Sequence, residues 1–341
     1  MKRLWTLVSA LAIGLPAPCA FARTKAGPVL VHEGLCEASG AVPYPPGSFG
    51  DRFLVVNDED NVLRLYRSEE SGPALALDGA DLGPAFGLGT GRDAPKADLE
   101  AATWLGDDLV VIRSHSRTDR GEAREPRRQV MAVSVAGASG ALALTPKGRA
   151  FQRLAEAFSD LDPLFAERIA LDVPKQADLS PKQRGFNIEG LAPGPDARSL
   201  LIGLRNPLDA ERHAIVVPLE NPAEVLAGGA APRLGKPTGL DLEGRGIRDI
   251  AFAPQARTYL IVAGGTGRDE AFDLYRWSGE PGAAPVRVPG AAEILAAIPH
   301  FQPEGLLLAP DASRARLLSD DGGGCTDDKP QRFRSILIEL R

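Results

Sequence analysis

The amino-acid sequence predicts an all-β protein folded as a single β-propeller of five blades. The first observation is a phrase that occurs five times, in which two apolar runs of about five residues flank a turn rich in Pro, Gly and Asp. Such a phrase is typical of two antiparallel strands joined by a hairpin. The second observation is the spacing of the copies, mostly near sixty residues, which suits a four-stranded blade with long loops. The third is the content of 37 Gly and 29 Pro, which many tight turns require.

The clearest copy of the phrase runs from Gly185 to Pro207. An acidic residue opens its first strand, and the polar pair Arg205 and Asn206 ends its second strand. We assign equivalent acids to the five copies, at intervals of 63, 89, 60 and 55 residues: Glu37, Glu100, Glu189, Asp249 and Glu304. A third apolar alternation follows each hairpin, and weaker fourth strands are predicted near residues 74–77, 141–144, 239–242 and 285–288.

The chain begins with a predicted signal peptide, residues 1–22. Lys2 and Arg3 precede an apolar stretch over residues 4–15, and the small residues Ala20 and Ala22 predict cleavage after Ala22. The apolar stretch is shorter than a usual membrane span, and no later segment is apolar enough to form one. We therefore expect the mature protein, residues 23–341, to be one periplasmic or secreted domain.

Two segments outside the repeat complete the predicted ring. The fifth copy ends at the C-terminus after its third strand, so we expect the apolar run at residues 28–32 to add the outer strand of the last blade and close the ring. Apolar residues three or four apart over residues 151–172, interrupted by Pro163, predict an insertion of two short helices. The insertion lengthens one interval between copies, which leaves a six-bladed ring as the alternative.

Charge and cysteine content limit the partners and the compartment. Cleavage moves the formal net charge from −6 to −8, which argues against a nucleic-acid-binding surface. Cys36 and Cys325 are the cysteines left after cleavage, and an exported protein with two cysteines is expected to form one disulfide. The bridge would join the first and last blades, which are neighbours in a closed ring. Two unpaired buried thiols are the alternative. We expect a monomer.

The topology of a propeller places the repeated acids at one mouth of the central channel. The innermost strand of a blade runs from one face to the other and the second strand returns, so the start of the first and the end of the second share a face. The predicted mouth combines the five acids with polar residues at or beside strand ends: Asn57, Asp58, Arg113, His115, Arg205, Asn206, Arg248 and Asp320. So many carboxylates repel one another unless something compensates their charge.

Two kinds of compensation suit these residues. A hard cation such as Ca²⁺ accepts six to eight carboxylate, amide and backbone oxygens. Its predicted ligands are Glu37, Glu100, Asn57, Asp58, Asn206, Asp249 and Asp320. In the alternative, the acids accept hydrogen bonds from arginines and backbone amides and only hold the blades in register.

The sequence also resembles a known family. The phrases FNIEGLAP, GLRNPL, RGIRDIAF, VIRSHSRT, LYRWSG and FQPEGLLL resemble, in order and spacing, the bacterial family known as domain of unknown function 3616. The resemblance spans about residues 35–340 and implies a fold and not a reaction. More loosely, the blade starts are similar to those of esterase-like phytase and calcium-dependent lactonase propellers, a resemblance that implies a divalent metal at the channel mouth. The chain departs from these two groups in its blade count, its Asp249 and its many arginines.

Two functions are compatible with these patterns. The first is an exported, divalent-metal-dependent hydrolase of an anionic phosphoester or lactone-type substrate. Its predicted catalytic residues are His115, Glu189 and Glu304, and its predicted substrate-binding residues are Arg113, Arg205 and Arg248. The second is a non-catalytic propeller that binds a small ligand or a protein partner at the same mouth. The sequence has no GxSxG, HExxH or Walker motif, and the fold alone does not separate the two functions.

Overall fold

The structure is a computed structural model that describes residues 24–91, 94–137, 141–267, 271–325 and 330–340. The predicted signal peptide, residues 1–22, lies outside the described residues. The predicted five-bladed propeller is confirmed, because five sheets stand in a ring and the innermost strands of neighbouring blades pack against one another all the way round. In the described residues no helix has the length and apolar character needed to cross a bilayer.

The strands follow the blades in chain order. The first strand is β1 (Lys25–Glu33), and blade one consists of β2 (Gly40–Tyr44), β3 (Arg52–Val56) and β4 (Arg64–Arg67), followed by the short strands β5 (Gly72–Pro73) and β6 (Leu77–Asp78). Blade two consists of β7 (Leu99–Leu105), β8 (Asp108–Arg113), β9 (Val130–Ala136) and β10 (Leu142–Phe151). Blade three consists of β11 (Asn187–Pro193), β12 (Leu200–Asn206), β13 (Ala214–Leu219) and β14 (Thr238–Leu240). Blade four consists of β15 (Gly246–Ala253), β16 (Thr258–Gly264), β17 (Asp273–Trp277) and β18 (Val286–Arg287), and blade five has β19 (Pro303–Leu308), β20 (Arg314–Ser319) and β21 (Arg332–Glu339).

In the part of the chain that the structure describes, four short α-helices lie outside the sheets. They are α1 (Leu154–Leu161), α2 (Pro163–Ile169), α3 (Pro222–Leu226) and α4 (Ala291–Ala296). Single 3₁₀ turns occur at Glu125–Arg127, Ala177–Leu179 and Gly322–Gly324.

Helices α1 and α2 account for the long interval between the second and third copies of the repeat. Asp162 separates them and caps α2, because its carboxylate accepts a hydrogen bond of 2.8 Å from the Leu164 amide. The rings of Phe158, Phe165 and Phe186 pack edge to face, with centroids 4.9 to 5.9 Å apart. The two helices thus extend the core between blades two and three and do not add a sixth blade.

The N-terminal strand closes the ring as predicted. Strand β1 pairs antiparallel with β21, so it is the outermost strand of blade five next to the C-terminal strand. The His32 ring on β1 stacks on Phe333 at 4.8 Å and meets the edges of Phe53 and Tyr66 from blade one. Because β1 pairs with one blade and packs on the other, it joins both sides of the seam.

The fourth strand predicted for blade one, residues 74–77, is reduced to a single antiparallel bridge between Leu75 and Leu65 of β4, where the Leu75 amide donates to the Leu65 carbonyl at 2.7 Å. The segment instead divides into β5, which pairs parallel with β1, and β6, which pairs parallel with β10 of blade two. Pro73 has no amide hydrogen to donate to a longer ladder. The segment therefore links blade one to both of its neighbours.

The predicted disulfide between Cys36 and Cys325 is present, with Cα atoms 6.3 Å apart and 289 residues between the two positions. It joins the start of blade one to the loop after β20 of blade five, which is the seam that β1 closes. Closure of so long a loop in the unfolded chain is worth about 5 to 6 kcal/mol in the chain-entropy account.

Removal of β1 (residues 25–33) should lower the melting temperature and promote aggregation. The deletion leaves the edges of β21 and β5 without partners. Circular dichroism melting and size-exclusion chromatography of the truncated mature protein measure both effects. Val29→Thr is the control, because Val29 is exposed and the substitution keeps the strand intact. An unchanged melting temperature after the deletion would show that β1 does not close the ring.

His32 should make the folded state less stable as the pH falls. Burial, with a smaller contribution from Arg316, lowers the pKa of His32 to about 4, whereas histidine in an unfolded chain titrates near 6.5. The stabilising contribution is therefore complete above about pH 6.5 and is lost as the pH falls towards 4. Urea unfolding at pH 7, 6 and 5 should show that His32→Gln differs less from the wild type at each lower pH. A difference that stays constant across these pH values contradicts the assignment.

Candidate functional site

The candidate site is built by irregularities in the innermost strands. The pairing register between the first and second strands shifts in four of the blades, as in a β-bulge. The residues at these shifts are Glu100 in β7, Glu189 in β11, Arg248 in β15 and Glu304 in β19. Bulges redirect a side chain and are frequent next to functional sites. All four side chains line one cavity at the channel mouth.

The register corrects the predicted position of the acid in blade four. The residue at the shift is Arg248, so Asp249 is one residue beyond the equivalent position. Asp249 does not line the cavity, and its carboxylate accepts hydrogen bonds from the amides of Ile250 at 2.7 Å and Leu306 at 2.8 Å. Burial raises the pKa of Asp249 well above its usual range. Asp249 therefore ties blade four to blade five, and an arginine takes the place of the fourth acid.

The cavity at the channel mouth has a volume of about 800 Å³, which is in the range of small-molecule sites. Its described lining includes eight acidic residues, which are Glu37, Asp58, Asp98, Glu100, Asp119, Glu189, Glu304 and Asp320. Four basic residues also line it, which are Arg127, Lys182, Arg205 and Arg248. The lining is therefore strongly acidic on balance, a property that favours a positively charged ligand.

One part of the lining, which we call the paired sector, consists of acids that contact arginines. Its members are Asp98, Glu189 and Glu304 with Arg127, Arg205 and Arg248. Arg205 Nη1 donates to Glu189 Oε1 at 2.9 Å, and Arg248 Nε lies 2.7 Å from Glu189 Oε2. Arg248 Nη2 contacts Glu304 Oε1, so one guanidinium joins acids from blades three and five. Arg127 Nη2 lies 2.9 Å from Asp98 Oδ1 on the other side.

The central pair of the paired sector is almost fully buried. Glu189 and Arg248 are each 4% exposed. Burial lowers the pKa of Arg248 to about 10, so the guanidinium stays charged at neutral pH. Asn187 Nδ2 also donates to Glu189 Oε1 at 2.7 Å. In this part of the ring, arginines therefore compensate the charges of the acids, as the alternative interpretation of the sequence expected.

The other part of the lining, the carboxylate sector, consists of Glu37, Asp58, Glu100 and Asp320. Within the described residues, no lysine or arginine forms an ion pair with these four side chains. Asp58 Oδ1 is buried and has no hydrogen-bond partner among the described residues. Half of the ring therefore lacks the compensation that the other half has.

The pKa values of the carboxylate sector follow from this arrangement. Burial, and then the charge of Glu37, raises the pKa of Asp58 well above its usual range. Burial, and then the charges of Asp98 and Glu189, raises the pKa of Glu100 well above its usual range. The pKa of Asp320 is also raised, by burial first. A proton or a cation is needed to offset the repulsion between these groups.

The structure does not bring His115 and Arg113 to the cavity. His115 is buried, its Nδ1 forms a hydrogen bond of 2.8 Å with the Arg113 carbonyl, and burial lowers its pKa to about 4. The Arg113 guanidinium lies over the Phe86 ring at 3.8 Å, and burial lowers its pKa to about 9. These two side chains are buried and do not line the channel mouth.

Asn57 and Asn206 also lie outside the cavity lining. Asn57 Oδ1 accepts hydrogen bonds from the Glu59 and Asp60 amides and so fixes the turn after β3. Asn206 Nδ2 donates to the carbonyls of Pro181 and Thr266, which belong to loops beside the mouth. Both side-chain amides form hydrogen bonds with backbone groups, because Asn57 follows β3 and Asn206 ends β12, where the chain turns. They support the walls of the site, and their side chains do not face its interior.

Several cavity residues were not predicted from the sequence. Asp98, Asn187 and Gln302 line the cavity, and each precedes the acid at a register shift by two residues. Side chains two residues apart in a strand point to the same face, so this spacing is a signal that could have identified them. Arg127 comes from the long charged loop of blade two, where no periodicity indicates its position.

The carboxylate sector fits Ca²⁺ in ligand type but not in spacing. Carboxylate oxygens are preferred ligands of this ion, and the unpartnered Asp58 Oδ1 is available to it. Yet the described residues contain no group of three or more His, Cys, Asp or Glu side chains already arranged to hold a metal ion. Cation binding here would require the four carboxylates to move closer together.

Comparison with known families places the chain among proteins without an assigned activity. The family described as protein of unknown function (DUF3616) matches residues 109–318. The chain belongs to this family. The DUF3616 match extends from β8 to β20, so it includes Glu189, Arg248 and Glu304 of the paired sector. A search among curated proteins found no match.

Three solved structures that resemble this DUF3616 protein do so at a low level. Myxococcus xanthus glutaminyl cyclase is 11% identical, with a TM-score of 0.42 over 93% of this chain and 97% of that one. A luciferin-regenerating enzyme is 11% identical, with a TM-score of 0.40 over 92% and 95% of the two chains. YCF48 from Cyanidioschyzon merolae is 12% identical, with a TM-score of 0.35 over 85% and 63%. Likeness at this level carries no argument about activity.

Arg248→Met should destabilise the protein by about 3 to 5 kcal/mol, because it leaves buried glutamates without their shared partner. Chemical denaturation at neutral pH measures the change. Arg245→Met is the control, since Arg245 pairs with the exposed Glu243 at 3.1 Å and an ion pair with an exposed carboxylate contributes little to stability. Adding Glu304→Gln to Arg248→Met should recover part of the loss. If Arg248→Met were no worse than Arg245→Met, Arg248 would not be the compensating charge.

Proposed function

We propose that the channel mouth binds a divalent cation such as Ca²⁺, and that the cation-bound protein hydrolyses an anionic phosphoester or lactone-type substrate. The observation that carries the proposal is the division of the cavity lining. Its paired sector is neutralised by arginines, whereas the carboxylate sector has no cationic partner among the described residues. A cavity of about 800 Å³ leaves room for a small substrate beside an ion.

Glu37, Asp58, Glu100 and Asp320 are the proposed cation ligands. When bound, the cation supplies a positive charge that polarises a phosphoryl or carbonyl oxygen. It also offsets the repulsion that raises the pKa values of Asp58, Glu100 and Asp320. Cation binding and deprotonation of these carboxylates are therefore linked, and affinity should increase as the pH rises.

The carboxylate sector is also the best source of acid and base groups. A carboxyl group with a raised pKa holds its proton near neutral pH and can donate it to a leaving oxygen. Glu100 lines the cavity and has a raised pKa, but its proposed role is that of a cation ligand, which requires the deprotonated carboxylate. The predicted catalytic role of His115, activation of the attacking water, has no geometric support, because His115 lies outside the cavity. A carboxylate of the sector takes that role in this proposal.

The arginines contribute less to substrate binding than the sequence suggested. Arg205 donates to Glu189 and to the carbonyls of Gly265 and Gly267. Arg248 is held between Glu189 and Glu304. An anionic substrate would compete with buried carboxylates for these donors, so it should bind mainly through the cation.

A non-catalytic binding propeller is the second candidate function. Two observations favour it: the histidine predicted to be catalytic lies outside the cavity, and the arginine donors at the mouth are already occupied. Under this candidate the same acidic mouth holds a cationic ligand or a basic group of a protein partner without any reaction. The disulfide, together with the predicted signal peptide, supports export in both cases.

Ca²⁺ should raise the melting temperature of the purified mature protein. At a free concentration of about 100 times Kd, a ligand that binds only the folded state adds about 2.7 kcal/mol. The variant Glu37→Gln/Asp58→Asn should lose the shift, because two of the four proposed ligands become neutral. The control is Asp119→Asn, an acid of the cavity lining outside the carboxylate sector, and it should keep the shift. A wild-type protein whose melting temperature does not respond to Ca²⁺ contradicts the cation site.

A substrate screen separates the two candidates once cation binding is established. Phosphoester and lactone substrates are incubated with the wild type, with and without chelator. Turnover that the chelator abolishes supports the hydrolase. Cation binding without turnover on any of these substrates favours the binding propeller.

A further inference from the structure

Every basic residue in the described lining of the channel mouth already contacts an acid. The pairs are Arg127 with Asp98, Lys182 with Asp119, Arg205 with Glu189, and Arg248 with Glu189 and Glu304. The acids of the lining that remain are those of the carboxylate sector. Because these acids come from several blades, a ligand that compensates them has to bring positive charge to more than one point of the ring.

Asn187 adds a neutral acceptor to the same cavity. It opens β11, lines the cavity and is only 2% exposed. Its Nδ2 donates to Glu189 Oε1 at 2.7 Å, and the same oxygen accepts from Arg205 Nη1 at 2.9 Å. A carboxylate only accepts hydrogen bonds, so the amide keeps this orientation and Oδ1 is left as an acceptor. Among the described residues, Oδ1 has no hydrogen-bond partner.

Asn187 Oδ1 and Asp58 Oδ1 make the same demand on a ligand. Both atoms are buried acceptors without a partner in the part of the chain that the structure describes, which is costly unless a donor reaches them. In blade order around the ring, the acceptors of the cavity without a basic partner are Asp320, Glu37, Asp58, Glu100 and Asn187. The ligand therefore carries hydrogen-bond donors at several points along an arc from blade five to blade three.

Such a spread of acceptors suits an organic cation better than a metal ion. A metal ion gathers its oxygens about one point, and the described residues contain no group of acids arranged in that way. Ammonium groups joined by a carbon chain contact carboxylates one at a time, at about 2.7 to 2.9 Å each, so the carboxylates can keep their present spacing. A cavity of about 800 Å³ has room for a molecule of this kind.

We propose that the channel mouth binds a linear polyamine, whose ammonium groups donate to the carboxylate sector and to Asn187 Oδ1. The proposal rests on the proposed function in one respect, since it takes the channel mouth as the ligand site, and it gives the binding-propeller candidate its ligand class. It requires no metal ion and no reaction of the amine. Asn187 is the specificity-determining residue, because its oxygen accepts from an N–H group and gains nothing from a cation without one.

Three probes separate hydrogen bonding from charge. The purified mature protein is titrated by calorimetry in metal-free buffer at physiological salt, which screens diffuse attraction between charges. Spermidine should bind. Its fully quaternised, permethylated form keeps the positive charges but has no N–H group, so it should bind about tenfold more weakly or worse. Neutral triethylene glycol should not bind. Equal affinity for spermidine and its permethylated form, or no binding of spermidine, would overturn the proposal.

Asn187→Leu tests the specificity role. It removes Oδ1 without changing the charge of the mouth, so the Kd for spermidine should rise about tenfold or more while the Kd for permethylated spermidine stays the same. Asn221→Leu is the matched control and should keep the wild-type Kd, because Asn221 is a buried, hydrogen-bonded asparagine that follows β13 and lies outside the cavity lining. An equal rise for both probes would overturn the role of Asn187. If Asn187→Leu does not fold, the comparison of probes on the wild type decides.

The polyamine proposal and the metal proposal fail in different ways. A protein that binds spermidine but not Ca²⁺ keeps the polyamine site and refutes the metal ion. A protein that binds Ca²⁺ but not spermidine refutes the polyamine site alone. If both bind, Ca²⁺ should raise the apparent Kd of spermidine, because both use the carboxylate sector. Independent binding of the two would place spermidine elsewhere and overturn the polyamine proposal.

Discussion

The ion pairs of Arg248 with Glu189 and Glu304 are the interaction on which the channel mouth depends. A charge in a buried position is costly unless a partner of opposite sign lies close by. Arg248 supplies that partner to acids from both neighbouring blades, because the register shift in β15 turns its side chain into the ring. Without it, the innermost strands of blades three, four and five would present buried carboxylates to one another. Asp249 reinforces the same junction through the Leu306 amide.

The single arginine also explains why the ring is asymmetric. Blade four contributes Arg248 to the ring, and this arginine neutralises the neighbouring acids Glu189 and Glu304. The other acids lie on β7 and beside the strands of blades one and five. The ion pairs of the described residues do not reach Glu37, Asp58, Glu100 and Asp320. Such a local excess of one charge destabilises a fold, so its presence at the mouth of a large cavity indicates a ligand site. The function that we propose follows from this contrast within one ring.

The sequence predicted the features that local pattern determines. The sequence predicted the hairpins and the closing strand, because both follow from the alternation of apolar and polar residues. It also predicted the pairing of Cys36 with Cys325, because the first and last blades are neighbours in a closed ring. The position of Asp249 was wrong because the acid type was matched across copies. Matching the apolar residues Ile188 and Ile247 would have aligned Glu189 with Arg248. The directions in which the His115 and Asn57 side chains point depend on the turns that follow β8 and β3. The sequence of such a turn has no periodicity from which a side-chain direction could be predicted.

The central claim is that the carboxylate sector holds a cation, and anomalous diffraction tests it most directly. Crystals of the mature protein grown with Ca²⁺, and then with a lanthanide in its place, reveal the ion by its anomalous signal. The account predicts one strong peak at the channel mouth among the oxygens of Glu37, Asp58, Glu100 and Asp320, with the four carboxylates closer together than they are in this structure. A mouth without a peak, or an ion bound only by acids of the paired sector, would contradict the account.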